Sequence, residues 1–470
     1  MNLDELVIMV DLQNDFAEIM DDDFVNSINK LCKYLKLTKK NFLFIKSHYF
    51  ELIDEKMNYI KNIDDRLKGT HLGKKICIEN TFGSELINLV KIYSNETNTI
   101  VKHYYSGFKD TYLENYLKKN NINVLIFCGL TINTCVKATI LDALKLGYKI
   151  KIITDCVTGI NAKMTKKGLD ELKQFYDIQL INLDIYTNGF NIYCSGDTFI
   201  LNDIFPSDIY NQNTFDNIIN ECDWKQMEIQ GGQLSRLVDV QALVCENDNK
   251  KLIPVYRNPS DKYIEPHNPT PSIQKIFDWL NSQIDLNGLK FNHVFLKYYK
   301  SCKDGIGKHS DKTLDLGLNS YIGNLSLGST RKMTFRSKTT SEIVNITLKS
   351  NSILFIGMET NKKWLHEVKP DLRDNFYKTS DELSHNTQRI SLTFRTVCTF
   401  FNSSTNKLEG QGSPKNTIDI EDNDNNNKIH MEKLKLDKQN LIKAFGQENK
   451  QADFNWNKFY SDGFYSMCTK

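Results

Sequence analysis

Two short segments of this 470-residue chain carry side chains at spacings suited to holding a metal ion. In Lys308-His309-Ser310-Asp311, the imidazole and the carboxylate stand two residues apart. If the segment is extended, they point to the same face. A distant imidazole, His366 in Trp364-Leu365-His366-Glu367-Val368, follows the apolar run from Ser352 to Ile356. Two histidines and one carboxylate on one face of an ion, with the other positions open, suit a non-heme Fe(II) centre. Further on, Arg389 to Arg395 reads as a strand with Arg389, Ser391, Thr393 and Arg395 on one face and Ile390, Leu392 and Phe394 on the other. An arginine pair on a polar strand face needs anionic partners. A dicarboxylate such as 2-oxoglutarate matches the forked guanidinium geometry.

A second chemistry is spelled near the N terminus. Asp11 closes the apolar run Leu6 to Val10, and Lys102 closes Thr99 to Lys102. Cys135 stands in Gly129-Leu130-Thr131-Ile132-Asn133-Thr134-Cys135-Val136, at the start of a helix-like segment. A thiol there feels the positive end of the helix dipole, and with a cation nearby it can become a thiolate at neutral pH. A carboxylate beside it would take and return the proton.

The elements that must position these groups differ between the two halves. Residues 1–187 alternate strand-like apolar runs with helix-period segments: strands at Leu6 to Val10, Asn41 to Lys46, Thr99 to Lys102, Val124 to Cys128 and Lys149 to Thr154, and helices at Asp23 to Leu35, Thr111 to Lys119, Thr134 to Leu146 and Asn161 to Phe175. That alternation predicts an α/β, doubly wound parallel sheet with functional groups at the carboxyl ends of the strands. Residues 188–220 loosen in pattern and read as a connection into a second domain. Over 221–400, a proline-rich, turn-rich stretch and one helix, Ser272 to Ile284, precede many short strands, which predicts an antiparallel jelly roll. Residues 401–470 begin polar and read as partly disordered, then end in an aromatic cluster of Phe454, Trp456, Phe459, Tyr460, Phe464 and Tyr465 that is expected to dock on a domain.

Composition narrows the class. The length exceeds one ordinary core, and 40% apolar residues are enough to bury two. A net charge of +2 is not that of a polybasic nucleic-acid binder, although 221–400 carries a mild basic excess. The 11 cysteines are odd in number and lack C-x-x-C pairs, which argues against a disulfide framework and a structural zinc site and for a reducing compartment. The acidic start Met1-Asn2-Leu3-Asp4-Glu5 is unlike a signal or transit peptide, and no apolar run is long enough to span a bilayer. The expectation is an intracellular protein, cytoplasmic or nuclear, with no membrane partner.

The order H-x-D, distant His, then R-x-S-x-T-x-R resembles the AlkB family of Fe(II)/2-oxoglutarate dioxygenases, whose last motif usually reads R-x-N-x-T-x-R. Supporting pieces are Gly231-Gly232-Gln233-Leu234-Ser235-Arg236, Tyr299 and Asn324-Leu325-Ser326-Leu327-Gly328 followed by Arg331. The resemblance implies a double-stranded β-helix jelly roll, with His309, Asp311 and His366 on Fe(II) and with Tyr299, Arg389 and Arg395 on the 2-oxoglutarate cosubstrate. It also implies use of O2, with hydroxylation of a C–H bond and release of succinate and CO2. The implied substrate is an alkylated base in DNA or RNA, repaired by loss of formaldehyde from an N-methyl group. Two departures stand out. Lys297-Tyr298-Tyr299 occupies the place of the family's N-x-Y, and Ser391 replaces the asparagine of the arginine strand.

The set Asp11, Lys102 and Cys135 resembles the isochorismatase-like cysteine hydrolases, which include nicotinamidases. The resemblance implies Asp11 as general base, Lys102 as support for the thiolate and the developing charge, Cys135 as nucleophile and a small amide as substrate. It further implies a cis peptide between Leu130 and Thr131, with the Thr131 and Cys135 N–H groups as oxyanion hole. Nicotinamidases carry a D-x-H metal motif where this chain reads Lys46-Ser47-His48, and His71 stands alone, so no metal is expected here and nicotinamide is put in doubt as the substrate. The whole chain thus reads as a bifunctional enzyme. The alternative is a dioxygenase acting on a protein or small molecule, with a degenerate binding module at the N terminus.

Overall fold

A computed structural model describes residues 5–49, 76–229, 232–247, 250–260, 262–415 and 424–468. His71 and Gly231 lie outside the described residues. The chain divides into two compact units, Met1–Gly189 and Phe190–Lys470. No described helix is long and apolar enough to cross a membrane.

The first unit is built on six parallel strands: β1 (Glu5–Val10), β2 (Phe42–Ser47), β3 (Thr99–Lys102), β4 (Val124–Leu130), β5 (Lys149–Thr158) and β6 (Ile178–Ile181), in the order β3-β2-β1-β4-β5-β6. Strand order reverses between β1 and β4, the switch point at which such sheets open a crevice beyond their carboxyl ends. Helices α1 (Asp22–Leu37), α2 (Leu113–Lys119), α3 (Cys135–Lys145) and α4 (Ala162–Phe175) are the crossovers. The Asp21 carboxylate caps α1 by accepting from the Phe24 N–H, and the apolar face of that helix buries Phe24, Ile28, Leu31 and Leu35. Leu6, Ile8, Val10, Leu125, Phe127 and Val136 form the centre of the core. Gly129 has φ +106°, and a β-carbon there would lie 2.1 Å from the Val10 carbonyl oxygen, so only glycine lets β4 approach the end of β1.

The second unit is antiparallel throughout its named strands. Its large sheet takes β7 (Asn191–Tyr193), β8 (Thr198–Leu201), β9 (Lys225–Ile229), β10 (Gly232–Ala242), β13 (His293–Tyr299), β15 (Tyr321–Gly328), β18 (Ser352–Gly357) and β20 (Arg389–Arg395), in the order β7-β8-β18-β15-β20-β13-β10-β9. A smaller sheet orders β14 (Ile306–His309), β19 (Trp364–Val368), β16 (Arg331–Ser337) and β17 (Ile343–Leu348) as β14-β19-β16-β17. Ile322, Leu354 and Ile356 of the large sheet pack on Met333, Phe335, Leu348 and Val368 of the small one, giving the two-layer jelly roll. Outside these layers, β11 (Cys245–Asn247), β12 (Lys250–Pro254), β21 (Thr399–Asn402) and β22 (Lys407–Gly410) form a third sheet. The opposite face of β20 meets α5 (Pro271–Gln283), where Phe277 and Phe394 stack edge to face at 5.0 Å.

Two segments differ from the sequence expectation. Residues 188–220, read as a connection, supply β7 and β8, and β8 pairs with β18 through Phe199↔Phe355. Those strands are too short to show an alternation. Likewise 401–410 is a strand–turn–strand hairpin rather than disordered, because β21 pairs with β12 and β22. The aromatic tail docks as expected: Phe454, Tyr460 and Phe464 are buried with Leu441 and Phe445 of α6 (Asp424–Lys450), around Leu314.

Candidate active sites

In the first unit, β1, β2 and β3 end side by side and bring three polar side chains together. Lys102 Nζ lies 2.9 Å from Asp11 Oδ2 and 2.6 Å from Ser47 Oγ, and the Ser47 hydroxyl donates to Asp11 Oδ1 at 2.9 Å. All three are buried. Asp11 sits at φ 55°, a left-handed conformation that costs a non-glycine residue energy and is held by its N–H bond to the Ile45 carbonyl. Gln13 fixes Ser47 from behind: its Nε2 donates to the Ser47 carbonyl and its Oε1 accepts from the Ser47 N–H.

Cys135 opens α3 and is 7% exposed, with its thiol against both Asp11 and Lys102. The Leu130–Thr131 peptide is cis, as the sequence resemblance implied. Burial, reinforced by the Asp11 carboxylate, pushes the thiol up to about 12, and Lys102 offsets this only in part. Burial alone would lower Lys102, yet Asp11 and its neighbours hold it above its ordinary value, so it remains an ammonium. The arrangement is a neutral thiol beside a carboxylate and a fixed cation, suited to proton transfer in concert with attack.

In the second unit, His309 of β14 pairs directly with His366 of β19, and their rings lie 4.3 Å apart. Asp311 Oδ1 is 3.8 Å from His309 Nε2 and 3.9 Å from His366 Nε2, and one donor atom from each of the three lies within 4.8 Å of the others. His309 Nδ1 donates to the Gly307 carbonyl at 2.8 Å, which leaves Nε2 as the lone-pair nitrogen. Burial lowers His309 to about 4 and His366 to about 3, so both rings are neutral near pH 7, as metal binding requires. Burial would raise Asp311, but Arg395 and the two imidazoles hold it below the usual carboxylate range.

Arg389, Ser391, Thr393 and Arg395 project from one face of β20, and every residue of the strand is buried. The two arginines have different surroundings. Arg395 is forked onto Asp311 Oδ2, at 2.6 Å from Nη2 and 3.1 Å from Nε, and lies 4.0 Å over the Tyr256 ring. Its first partner is therefore a metal-site carboxylate rather than the free anion expected of it. Arg389 gives Nη2 to Ser326 Oγ at 2.8 Å, while its Nε and Nη1 are buried with no hydrogen-bond partner among the described residues. Tyr299 flanks Arg389, ring centre 5.2 Å away, and Arg331 stands 5.9 Å from the same ring. A buried guanidinium with two unanswered donors and no carboxylate in contact is a seat for an incoming anion. The three converging donors and this seat fit an Fe(II) ion and a dicarboxylate.

Two residues modify the pattern at the places where the sequence departs from the family. Lys297 reaches Thr393 Oγ1 at 3.1 Å, and burial with Arg395 nearby lowers it to about 7. Asn324, one strand over, donates to Ser391 Oγ at 3.0 Å and Thr393 Oγ1 at 3.3 Å, so an amide faces the position where the arginine strand lacks one. Sequence reasoning noted Asn324 only as part of a motif. Its role depends on the register Asn324↔Thr393, which no local pattern encodes.

The comparisons with known proteins divide the chain in the same way. The isochorismatase domain family matches residues 5–180, and the 2OG-Fe(II) oxygenase superfamily matches 198–395. Nicotinamidase of Escherichia coli is 31% identical over 122 residues, covering 24% of this chain and 55% of that protein. The DNA oxidative demethylase ALKBH2 of Bos taurus is 33% identical over 91 residues, covering 18% of this chain and 33% of that protein. A solved isochorismatase-like hydrolase from Alkaliphilus metalliredigens is 20% identical, covering 39% of this chain and 96% of that one with a TM-score of 0.32. The chain spans about half or less of the length of these curated relatives. It joins an isochorismatase-like domain to an AlkB-like 2-oxoglutarate/Fe(II) oxygenase domain, and both belong to enzyme families.

Proposed function

We propose that the second unit is an Fe(II)/2-oxoglutarate-dependent demethylase of alkylated nucleobases in DNA or RNA, and that the first is a cysteine hydrolase of a small amide. The observation that carries the oxygenase reading is the pairing of three converging donors with Arg389, whose Nε and Nη1 have no hydrogen-bond partner among the described residues. When bound, Fe(II) and 2-oxoglutarate supply O2 activation, with oxidative decarboxylation to succinate and CO2 coupled to hydroxylation of a C–H bond. The chain's own residues position and charge the site. His309, Asp311 and His366 hold the ion, and Arg395 keeps Asp311 ionised. Arg389 and Tyr299 seat the remote carboxylate of the cosubstrate. Lys297 supplies a second cation beside Thr393. The curated similarity to a DNA demethylase supports a methylated base as substrate, reached once it is unstacked.

The test is succinate and formaldehyde release by Fe(II)-loaded protein given 2-oxoglutarate, O2 and N-methylated single-stranded DNA or RNA. Formaldehyde that disappears in His309→Ala is the expected result. Succinate release that ignores every methylated oligonucleotide would move the substrate to a protein or a small molecule.

In the first unit, Cys135 Sγ attacks the amide carbonyl as its proton passes to Asp11. Asp11 then protonates the leaving amine as the C–N bond breaks. Water, deprotonated by Asp11, cleaves the thioester and restores the thiol. Lys102 stays charged throughout, and the N–H groups of Thr131 and Cys135 receive the oxyanion. Ammonia release from a panel of small amides, nicotinamide among them, should vanish in Cys135→Ala; retained turnover would overturn the assignment.

A further inference from the structure

We propose that the C-terminal helices are a working part of the metal site, with Asn449 as a positioning residue that sets metal affinity by holding the segment that carries Asp311. This rests on the oxygenase reading above.

The chain from Ser310 to Ser320 leaves the sheet after His309 and forms no strand. Its backbone groups therefore need partners from elsewhere. The tail supplies several of them. Asn449 Oδ1 accepts from the Ser310 N–H and from Ser310 Oγ, both at 3.1 Å, and from the Lys312 ammonium. Ser310 is the residue between His309 and Asp311. Glu448 Oε1 accepts from the Thr313 N–H at 3.0 Å and from its hydroxyl, while Glu448 Oε2 accepts from Tyr460 at 2.6 Å. Trp456 Nε1 donates to the Thr313 carbonyl at 3.1 Å. Arg257, in a buried pair with Asp315, donates to the Phe464 carbonyl at 2.8 Å.

From the other side, Asn361 brackets Asp311 itself, accepting from its N–H and donating to its carbonyl, each at 2.9 Å. The metal carboxylate thus sits on a segment gripped between Asn361 and the tail. Ser310, Lys312, Asp315 and Glu448 are each 3% exposed or less, and Asn449 itself is half-buried. Displacing a ligand by a fraction of an ångström lowers metal affinity, and residues that orient ligands are worth about 10–100-fold in binding.

All three bonds at Asn449 use its oxygen as an acceptor, which separates positioning from simple packing. Aspartate keeps that oxygen and alanine removes it. The experiment is a Co(II) titration of the full chain by visible absorption, with thermal melting in parallel, on the unaltered protein, Asn449→Ala and Asn449→Asp. The expected result is a loss of tenfold or more in Co(II) affinity in Asn449→Ala, with affinity restored in Asn449→Asp. Equal affinity in Asn449→Ala and the unaltered protein would overturn the proposal, as would equal losses in both variants. No Co(II) binding by the unaltered protein would overturn the oxygenase reading and this proposal with it.

Discussion

Arg395 and Asp311 form a buried forked pair in which the Oδ2 atom of the carboxylate takes two N–H groups while Oδ1 faces the two imidazoles. In the proposed metal site this leaves Oδ2 to charge control and Oδ1 to coordination. A ligand carboxylate in so dry a place would otherwise favour its protonated form.

Replacing Arg395 by Met should therefore weaken metal binding through the proton rather than through shape. Without the guanidinium, burial pushes the Asp311 carboxyl upward, so an incoming ion must displace a proton that the unaltered protein does not carry. Co(II) affinity is expected to fall as pH falls in Arg395→Met and to stay flatter over the same range in the unaltered protein. Parallel pH profiles would contradict this account.

Arg389, six residues earlier on the same face, should behave in the opposite way. Nε and Nη1 have no partner among the described residues, which suits the anion seat proposed for it, and loss of two charge-assisted hydrogen bonds costs about 3 kcal/mol, or roughly a hundredfold in affinity. Arg389→Met is expected to lose 2-oxoglutarate binding on that scale, measured by calorimetry on the Co(II)-loaded protein, while Co(II) affinity changes little. A variant that loses the metal and the cosubstrate together would refute the division of labour between the two arginines.

Lys297 should make the proposed cosubstrate site sensitive to pH. Burial brings it to about 7, so its ammonium is fully present below that value and lost above it. If the ammonium attracts a carboxylate of 2-oxoglutarate, affinity falls as pH rises through about 7. The slope should be absent in Lys297→Asn, which restores the family's residue at this position. An unchanged slope in that variant would assign the pH dependence to another group.

Much of this was legible in the sequence, for a definite reason. The four polar residues from Arg389 to Arg395 follow the period of an extended chain, so residue type and spacing alone place them on one face, whereas His309 ends β14 and Asp311 lies beyond it, so that pair was legible by residue type rather than by a shared strand face. Asp11 and Lys102 were legible because parallel strands collect functional groups at their carboxyl ends. What escaped depends on partners far away in the chain. Asn324 meets Ser391 only through sheet register, and Glu448 meets Thr313 across 135 residues. The influences on Cys135 escaped for a related reason: a helix start and a lysine favour a thiolate, and only the folded surroundings add burial and the Asp11 carboxylate, which push the thiol up.

That same balance gives a prediction in which acidity and activity part company. Burial is the largest cause of the raised Cys135 thiol and Asp11 comes next, while Lys102 acts against both. Asp11→Asn removes the repulsive charge and leaves Lys102 in place, so the thiol should become more acidic than in the unaltered protein. Thiolate absorbance near the ultraviolet edge, followed through a pH titration against Cys135→Ser as blank, should show Cys135 ionising at lower pH in Asp11→Asn. Amide hydrolysis should nevertheless fall by about 10²–10⁴-fold, the usual contribution of a positioned general base, because no group remains to protonate the leaving amine or activate water. If the more acidic thiolate proved equally active, the thiol alone would carry the reaction and Asp11 would be structural.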